Sequence, residues 1–298
     1  MRLLKRLLSL MLILTIMVSA VSCGDKNTGD KNNGDSGKNE NPNSYSVTVL
    51  NPLGKPLSDI TVYVHRDGEG DYNICTFPVN TDANGKATFT LDPNYSYSVQ
   101  LANVPEAYTC LSGYTRSERY AFDSNNITVK LESNDGFVPE MYSVGDPIAN
   151  FTLYDVDGNR YELYELLKSK KVVVLNFWFY NCGPCQAEFP ALNGAYIAYK
   201  DSVEVLAIND YPNETVEHVK SYESKIGMNL DMPLFKAEYG SDVSLARFPS
   251  NGYPTTVVID SYGTISFIHV GSVTSMAKWK ELFDHYTSES YDGTPFNF

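Results

Sequence analysis

Residues 172–185 read Val-Val-Val-Leu-Asn-Phe-Trp-Phe-Tyr-Asn-Cys-Gly-Pro-Cys. The run from Val172 to Phe179 is apolar and aromatic except at Asn176, which reads as a strand buried on both faces. Cys182-x-x-Cys185 follows at once, and residues 186–200 have helical character. Two cysteines opening a helix that leaves a core strand are the geometry of a dithiol redox centre. The unpaired amides and positive dipole end of the helix start stabilise a thiolate on the first cysteine. Cys182 is therefore expected to be the exposed nucleophile. Cys185, one turn further in and shielded, resolves the mixed disulfide by attacking the sulfur of Cys182. Gly183-Pro184 lets the chain turn, and proline fits the first helical turn because its missing N–H had no partner there. Glu188, one turn beyond Cys185, can exchange a proton with it if buried and is an ordinary solvated helix residue if not.

Strands and helices alternate around this stretch. Phe151 to Tyr154, Asp157-Gly158 and Arg160 to Leu163 read as a hairpin leading into a short helix, Leu163 to Leu167. Val203 to Asn209 is a second buried strand, and Glu214 to Lys225 a helix with Asn213 as cap. Thr255 to Asp260 and Thr264 to Val270 form a hairpin about Tyr262-Gly263, and Met276 to Tyr286 closes the region as a helix. A β-α-β half followed by β-β-α predicts an α/β thioredoxin-like fold.

The preceding half has a different texture. Short alternating stretches at Tyr45 to Leu50, Ile60 to His65, Lys86 to Leu91, Tyr95 to Leu101 and Ile127 to Leu131 are bounded by turn residues, with a hairpin signal at Asn84-Gly85. They predict a small all-β sandwich over residues 45–134, joined by a linker from Asn134 to Tyr142 to a unit spanning 141–290.

At the N-terminus, Arg2, Lys5 and Arg6 precede an apolar run from Leu7 to Ala20, too short to span a bilayer and read as a secretory signal, residues 1–22. It ends in Ala20-Val21-Ser22-Cys23, which resembles a bacterial lipobox and makes Cys23 the lipid attachment site. Residues 23–44 hold almost no apolar side chain, as in a disordered tether reaching about 25 Å. The formal net charge is −13 with no basic cluster, which argues against nucleic-acid binding. Of the five cysteines, Cys75 and Cys110 are left as either a disulfide or two buried thiols. Zinc would need four ligands, whereas His65, His218, His269 and His285 are scattered, so no metal and no cofactor are expected.

Asn176-Phe177-Trp178, Cys182-x-x-Cys185-x-x-Glu188-x-Pro190 and Gly252-Tyr253-Pro254-Thr255-Thr256 together resemble the TlpA/ResA-like branch of the thioredoxin superfamily, whose members are extracytoplasmic and membrane-tethered. The resemblance implies a cis Tyr253–Pro254 bond facing the dithiol and a client peptide lying beside it. Gly183, Pro184, Tyr253, Pro254 and Trp178 are the candidate substrate contacts. Asn176 stands where cytosolic thioredoxins have a buried aspartate, leaving Glu188 or water as the proton route. The order of strands and turns in the first half resembles Cna-B or carboxypeptidase-regulatory modules, which serve as spacers. The combined expectation is a lipid-anchored thiol–disulfide oxidoreductase on the outer face of a bacterial cytoplasmic membrane. It would reduce protein disulfides with electrons from a membrane thiol donor. Two rivals stand beside it. A redoxin-type peroxidase would want threonine at position 179, which is phenylalanine, and a non-enzymatic surface binding protein would rely on the β unit alone.

Overall fold

A computed structural model describes residues 43–68, 74–113 and 116–297. The signal segment 1–22, Cys23 and tether residues 24–42 lie outside the described residues.

The first region runs β1 (Ser44–Leu50), β2 (Thr61–Arg66), β3 (Val79–Asn80), β4 (Lys86–Thr90), β5 (Tyr97–Ala102), β6 (Tyr108–Thr109), β7 (Tyr120–Ala121), β8 (Asn126–Lys130) and β9 (Glu132–Ser133). Two sheets, ordered β4-β1-β8 and β3-β2-β5-β7, carry its core, and β6 pairs with β9 beside them. Alternation sets the inward face: along β4, Ala87 and Phe89 are buried while Lys86 and Thr88 are exposed. Val47, Val62, Val99 and Val129 complete the core from the other strands.

The expected hairpin about Asn84-Gly85 is not formed. β3 pairs with β2, whereas β4 pairs with β1, so the turn carries the chain from one sheet to the other. Asp82 closes that turn locally, its Oδ1 accepting from the amides of Asn84 and Lys86. Gly85 sits at φ 71°, and a Cβ there would lie 2.5 Å from the carbonyl oxygen of Val49. The glycine serves close approach to β1 rather than hairpin pairing.

The second region runs β10 (Thr152–Tyr154), β11 (Arg160–Glu162), α1 (Leu163–Ser169), β12 (Val172–Trp178), α2 (Gly183–Tyr199), β13 (Val203–Asn209), α3 (Val216–Lys220), α4 (Tyr222–Ile226), β14 (Leu234–Lys236), β15 (Thr255–Asp260), β16 (Ile265–Val270) and α5 (Met276–Thr287). Its central sheet has the order β14-β13-β12-β15-β16, with β12, β13 and β14 parallel and β15 and β16 antiparallel to their neighbours. This is the thioredoxin-like α/β fold, preceded by a β-rich region. β12 is buried along its whole length. Val172, Val174 and Trp178 enter the core shared with α2 and α5, while Val173, Leu175 and Phe177 enter the opposite core. That alternation turns Asn176 toward α2.

Two expectations need correction here. The helix predicted over 214–225 is two short helices, capped by Thr215 through His218 rather than by Asn213, which lies at φ 67° outside the helix. β14 carries too few residues to leave a periodic signal. The segment read as a linker is packed: Tyr142 is 3% exposed and stacks on Phe248 at 5.6 Å, and Phe137 lies against the β core.

The two regions share a seam. Asn51 Oδ1 accepts from the amides of Leu53 and Lys55, while its Nδ2 donates to the carbonyl of Tyr262 at 2.7 Å. Leu53 packs into the thioredoxin-like core, and Ala149 is buried in the β core. Asn51→Ala should lower stability by about 1–3 kcal/mol, because it strands amides that have no other acceptor. The midpoint of urea unfolding followed by Trp178 and Trp279, both in the second region, should fall. An unchanged tryptophan midpoint would mean that the two regions unfold independently.

Candidate active site

Cys182 is the N-cap of α2, with Gly183 and Pro184 in the first turn. It is joined to Cys185 by a disulfide, the two Cα atoms 5.2 Å apart. The Cys182 sulfur also accepts from the amide of Cys185 at 3.1 Å, satisfying one of the orphan amides of the helix start. Cys182, expected to be exposed, is 1% exposed in this bridged form, and Cys185 is fully buried. The half-buried rings of Phe179, Tyr180 and Tyr253 pack against the cluster that holds both cysteines, while Gly183 and Pro184 face solvent. No bond joins Cys75 to Cys110; both are half-buried against the β core.

Glu188 is fully buried. Its Oε1 accepts from Asn176 Nδ2 at 2.7 Å and its Oε2 from the amide of Val273 at 2.6 Å. Burial pushes its carboxyl up from 4.5 to about 7, against the opposing pull of the Val273 amide and Asn176. Asn176 Oδ1 is buried without a hydrogen-bond partner. An amide turned over would offer that oxygen to a protonated Glu188, so the pair can hold a proton or its absence beside the dithiol helix.

Tyr253–Pro254 is cis, and the carbonyl of Pro254 accepts from the amide of Gly271. The Tyr253 ring meets Phe179, three residues before Cys182, edge-on at 5.4 Å. These contacts bring the proline loop to the dithiol loop. Trp178 is different. In this bridged form it is fully buried, packing on Phe189 and, at 4.1 Å, on Tyr222, as a core side chain does. Its position on β12 points it beneath α2.

Sequence reasoning missed the residues that hold the loops. Both carboxylate oxygens of Glu214 accept from the amide of Tyr180, and Oε2 also accepts from Asn209 Nδ2. Lys225 Nζ donates to the carbonyl of Tyr180 and to Asn181 Oδ1, and lies 3.7 Å from the centroid of the Tyr180 ring. Asp210, fully buried, accepts from the hydroxyl of Tyr253 at 2.8 Å. The one signal available was the polar pair Asn209-Asp210 ending an apolar strand, since sites in open α/β sheets gather at the carboxyl ends of strands.

A bridged Cys-Gly-Pro-Cys capping the helix after the central strand of this fold defines an enzyme of the thiol–disulfide oxidoreductase class. Residues 144–268 match the AhpC/TSA family. The thiol-disulfide oxidoreductase ResA of Halalkalibacterium halodurans is 34% identical over 131 residues, 44% of this chain and 70% of that one. The thioredoxin-like protein YneN of Bacillus subtilis is 31% identical over 139 residues, 46% of this chain and 78% of its own. Among solved structures, StoA from Bacillus subtilis aligns over 47% of this chain and 97% of its own, at 22% identity and a TM-score of 0.38. The chain belongs to the thioredoxin-like AhpC/TSA family, alongside ResA.

Because burial raises the Glu188 carboxyl above its unfolded value, folding favours the protonated form. Below pH 4.5 both states hold the proton and the group costs nothing; the cost to the folded state grows between pH 4.5 and about 7 and is constant above that. Glu188→Gln, neutral throughout, should therefore gain stability relative to the wild type progressively through that window, reaching about 3 kcal/mol above it. Denaturation midpoints measured from pH 4 to 8 in the oxidised form check this, and a difference that shrinks with rising pH contradicts it.

Proposed function

We propose that this protein is a lipid-anchored thiol–disulfide oxidoreductase of the outer face of a bacterial cytoplasmic membrane, reducing disulfides of secreted or membrane-exposed proteins. The Cys182–Cys185 bridge at the start of α2 carries the reading, supported by the basic and then apolar stretch of sequence that runs up to Cys23. The Gly-Pro pair between the cysteines is that of thioredoxin, a reductant with a potential near about −270 mV.

In the reduced enzyme the Cys182 thiolate attacks one sulfur of the client disulfide. A Cys182–client bond forms, and the other client sulfur leaves and is protonated. The Glu188 carboxylate accepts the proton of Cys185, whose sulfur then attacks Cys182, re-forming the intramolecular bridge and releasing the second client thiol. Two electrons pass to the client, and a membrane dithiol donor must return them. The nucleophilic role needs the Cys182 sulfur to be more open in the dithiol than in the bridged form. The client backbone lies strand-like beside Tyr253-Pro254 and over the exposed Gly183-Pro184 turn. Residues 45–134 act as a spacer between the lipid at Cys23 and the redox unit of residues 141–290.

Cys185→Ser should stall at the first step, accumulating client proteins bonded to Cys182 in cells, and should lose dithiothreitol-driven insulin reduction. A wild-type protein that leaves insulin bridges intact under the same conditions would overturn the assignment, and rapid peroxide turnover by Cys185→Ser would favour a peroxidase. Cys23→Ser should move the protein from the membrane to the soluble extracytoplasmic fraction, read by fractionation and immunoblot. Retention in the membrane would refute the lipid anchor.

A further inference from the structure

Asp210 stands one residue beyond the end of β13, where Asn209 is in register with Trp178 of β12. It is thus level with the loop that leads into the dithiol. Its carboxylate is fully buried and takes donors from two separate segments. Oδ2 accepts from the hydroxyl of Ser244 and the amide of Leu245, both at 2.7 Å, and Oδ1 accepts from the hydroxyl of Tyr253 at 2.8 Å. Three donors converge on this one buried carboxylate, and a buried hydroxyl is costly to leave without its acceptor. The Tyr253 hydroxyl is therefore held inward, and with it the ring and the backbone just before Pro254.

That ring completes a small aromatic wall. Tyr253 lies edge-on to Phe179 at 5.4 Å and to Tyr211 at 5.9 Å, and Phe179 and Tyr211 stack at 4.7 Å. Tyr211 is 40% exposed, so the wall opens to solvent beside the cluster containing Cys182. Without its acceptor, the Tyr253 hydroxyl would have to seek water, turning the ring out of this arrangement.

We infer that Asp210 is a positioning residue for exchange with polypeptide disulfides, acting through Tyr253 to fix the wall and backbone along which the client lies. The inference rests on the functional reading above, in which the client runs beside Tyr253-Pro254. It separates substrates by size. A small disulfide needs only the sulfur of Cys182, whereas a polypeptide needs the wall as well.

Asp210→Asn keeps the volume but turns an N–H2 group toward one of the three donors. For insulin, kcat/KM should fall about tenfold, chiefly through a higher KM, the scale of one oriented hydrogen bond. Exchange with hydroxyethyl disulfide should change less than about twofold, and the Cys182/Cys185 potential should stay at the wild-type value. Ser244→Ala, which leaves the Tyr253 bond in place, should keep the insulin KM. Asp210→Asn combined with Tyr253→Phe should be no worse than Tyr253→Phe alone. Should Asp210→Asn fail to fold, Tyr253→Phe carries the test and must raise the insulin KM about as much. Equal losses on both disulfides, no loss on either, or a displaced potential would overturn the inference while the functional reading stands. A wild type inactive on both disulfides would remove the two together.

Discussion

One geometric constraint organises the redox region: β12 is enclosed on both faces, and the chain leaving it must enter α2 at the surface of two cores. Val172 and Val174 commit one face and Val173, Leu175 and Phe177 the other, which leaves the strand no freedom of register. Cys182 then falls at the cap position, where its sulfur meets the amide of Cys185, and the same alternation aims Asn176 at Glu188. The dithiol, its helix dipole and its buried acid are thus consequences of where one strand ends.

The chain has 22 tyrosines, and their hydroxyls recur as donors to buried carboxylates. Tyr253 serves Asp210, Tyr291 serves Asp260 at 2.6 Å, and Tyr196 serves Glu204 at 2.8 Å. Glu188 instead uses the Asn176 amide and a backbone N–H. A neutral donor satisfies a buried oxygen without fixing its charge state as firmly as a cation would. Glu204 also meets Lys170 at 3.7 Å, whereas no ion pair to Asp210 or Asp260 is found among the described residues.

Much of this could be read from residue order, and the reason differs from case to case. β12, β13 and β15 announce themselves because strands enclosed by a core are largely apolar runs, and β16, an edge strand, because the turn at Gly263 marks its start. The cysteine pair, Pro254 and Glu188 were visible because each sits in a short fixed context. Asp210, Glu214 and Lys225 were not: their roles depend on partners tens of residues away, and a lone acid or lysine at a loop looks solvated until the loop is folded. The pairing of β3 and β4 was misread for a related cause, since a turn dipeptide reports the local bend and not which sheet receives the next strand. The cluster that holds Cys182 is covered by rings from two segments, Phe179-Tyr180 and Tyr253, which no spacing rule brings together.

The exchange of side chains across the seam has a mechanical meaning. Parting the two regions would withdraw Leu53 from one core, uncover Ala149 in the other, and leave the Asn51 amide and the Tyr262 carbonyl facing vacancies. A swivel at residues 134–142 would have to tear Tyr142 from Phe248 as well. The direction in which the dithiol looks, relative to β1 and its sheet, is consequently dictated by interlocked surfaces. No leash length enters into it.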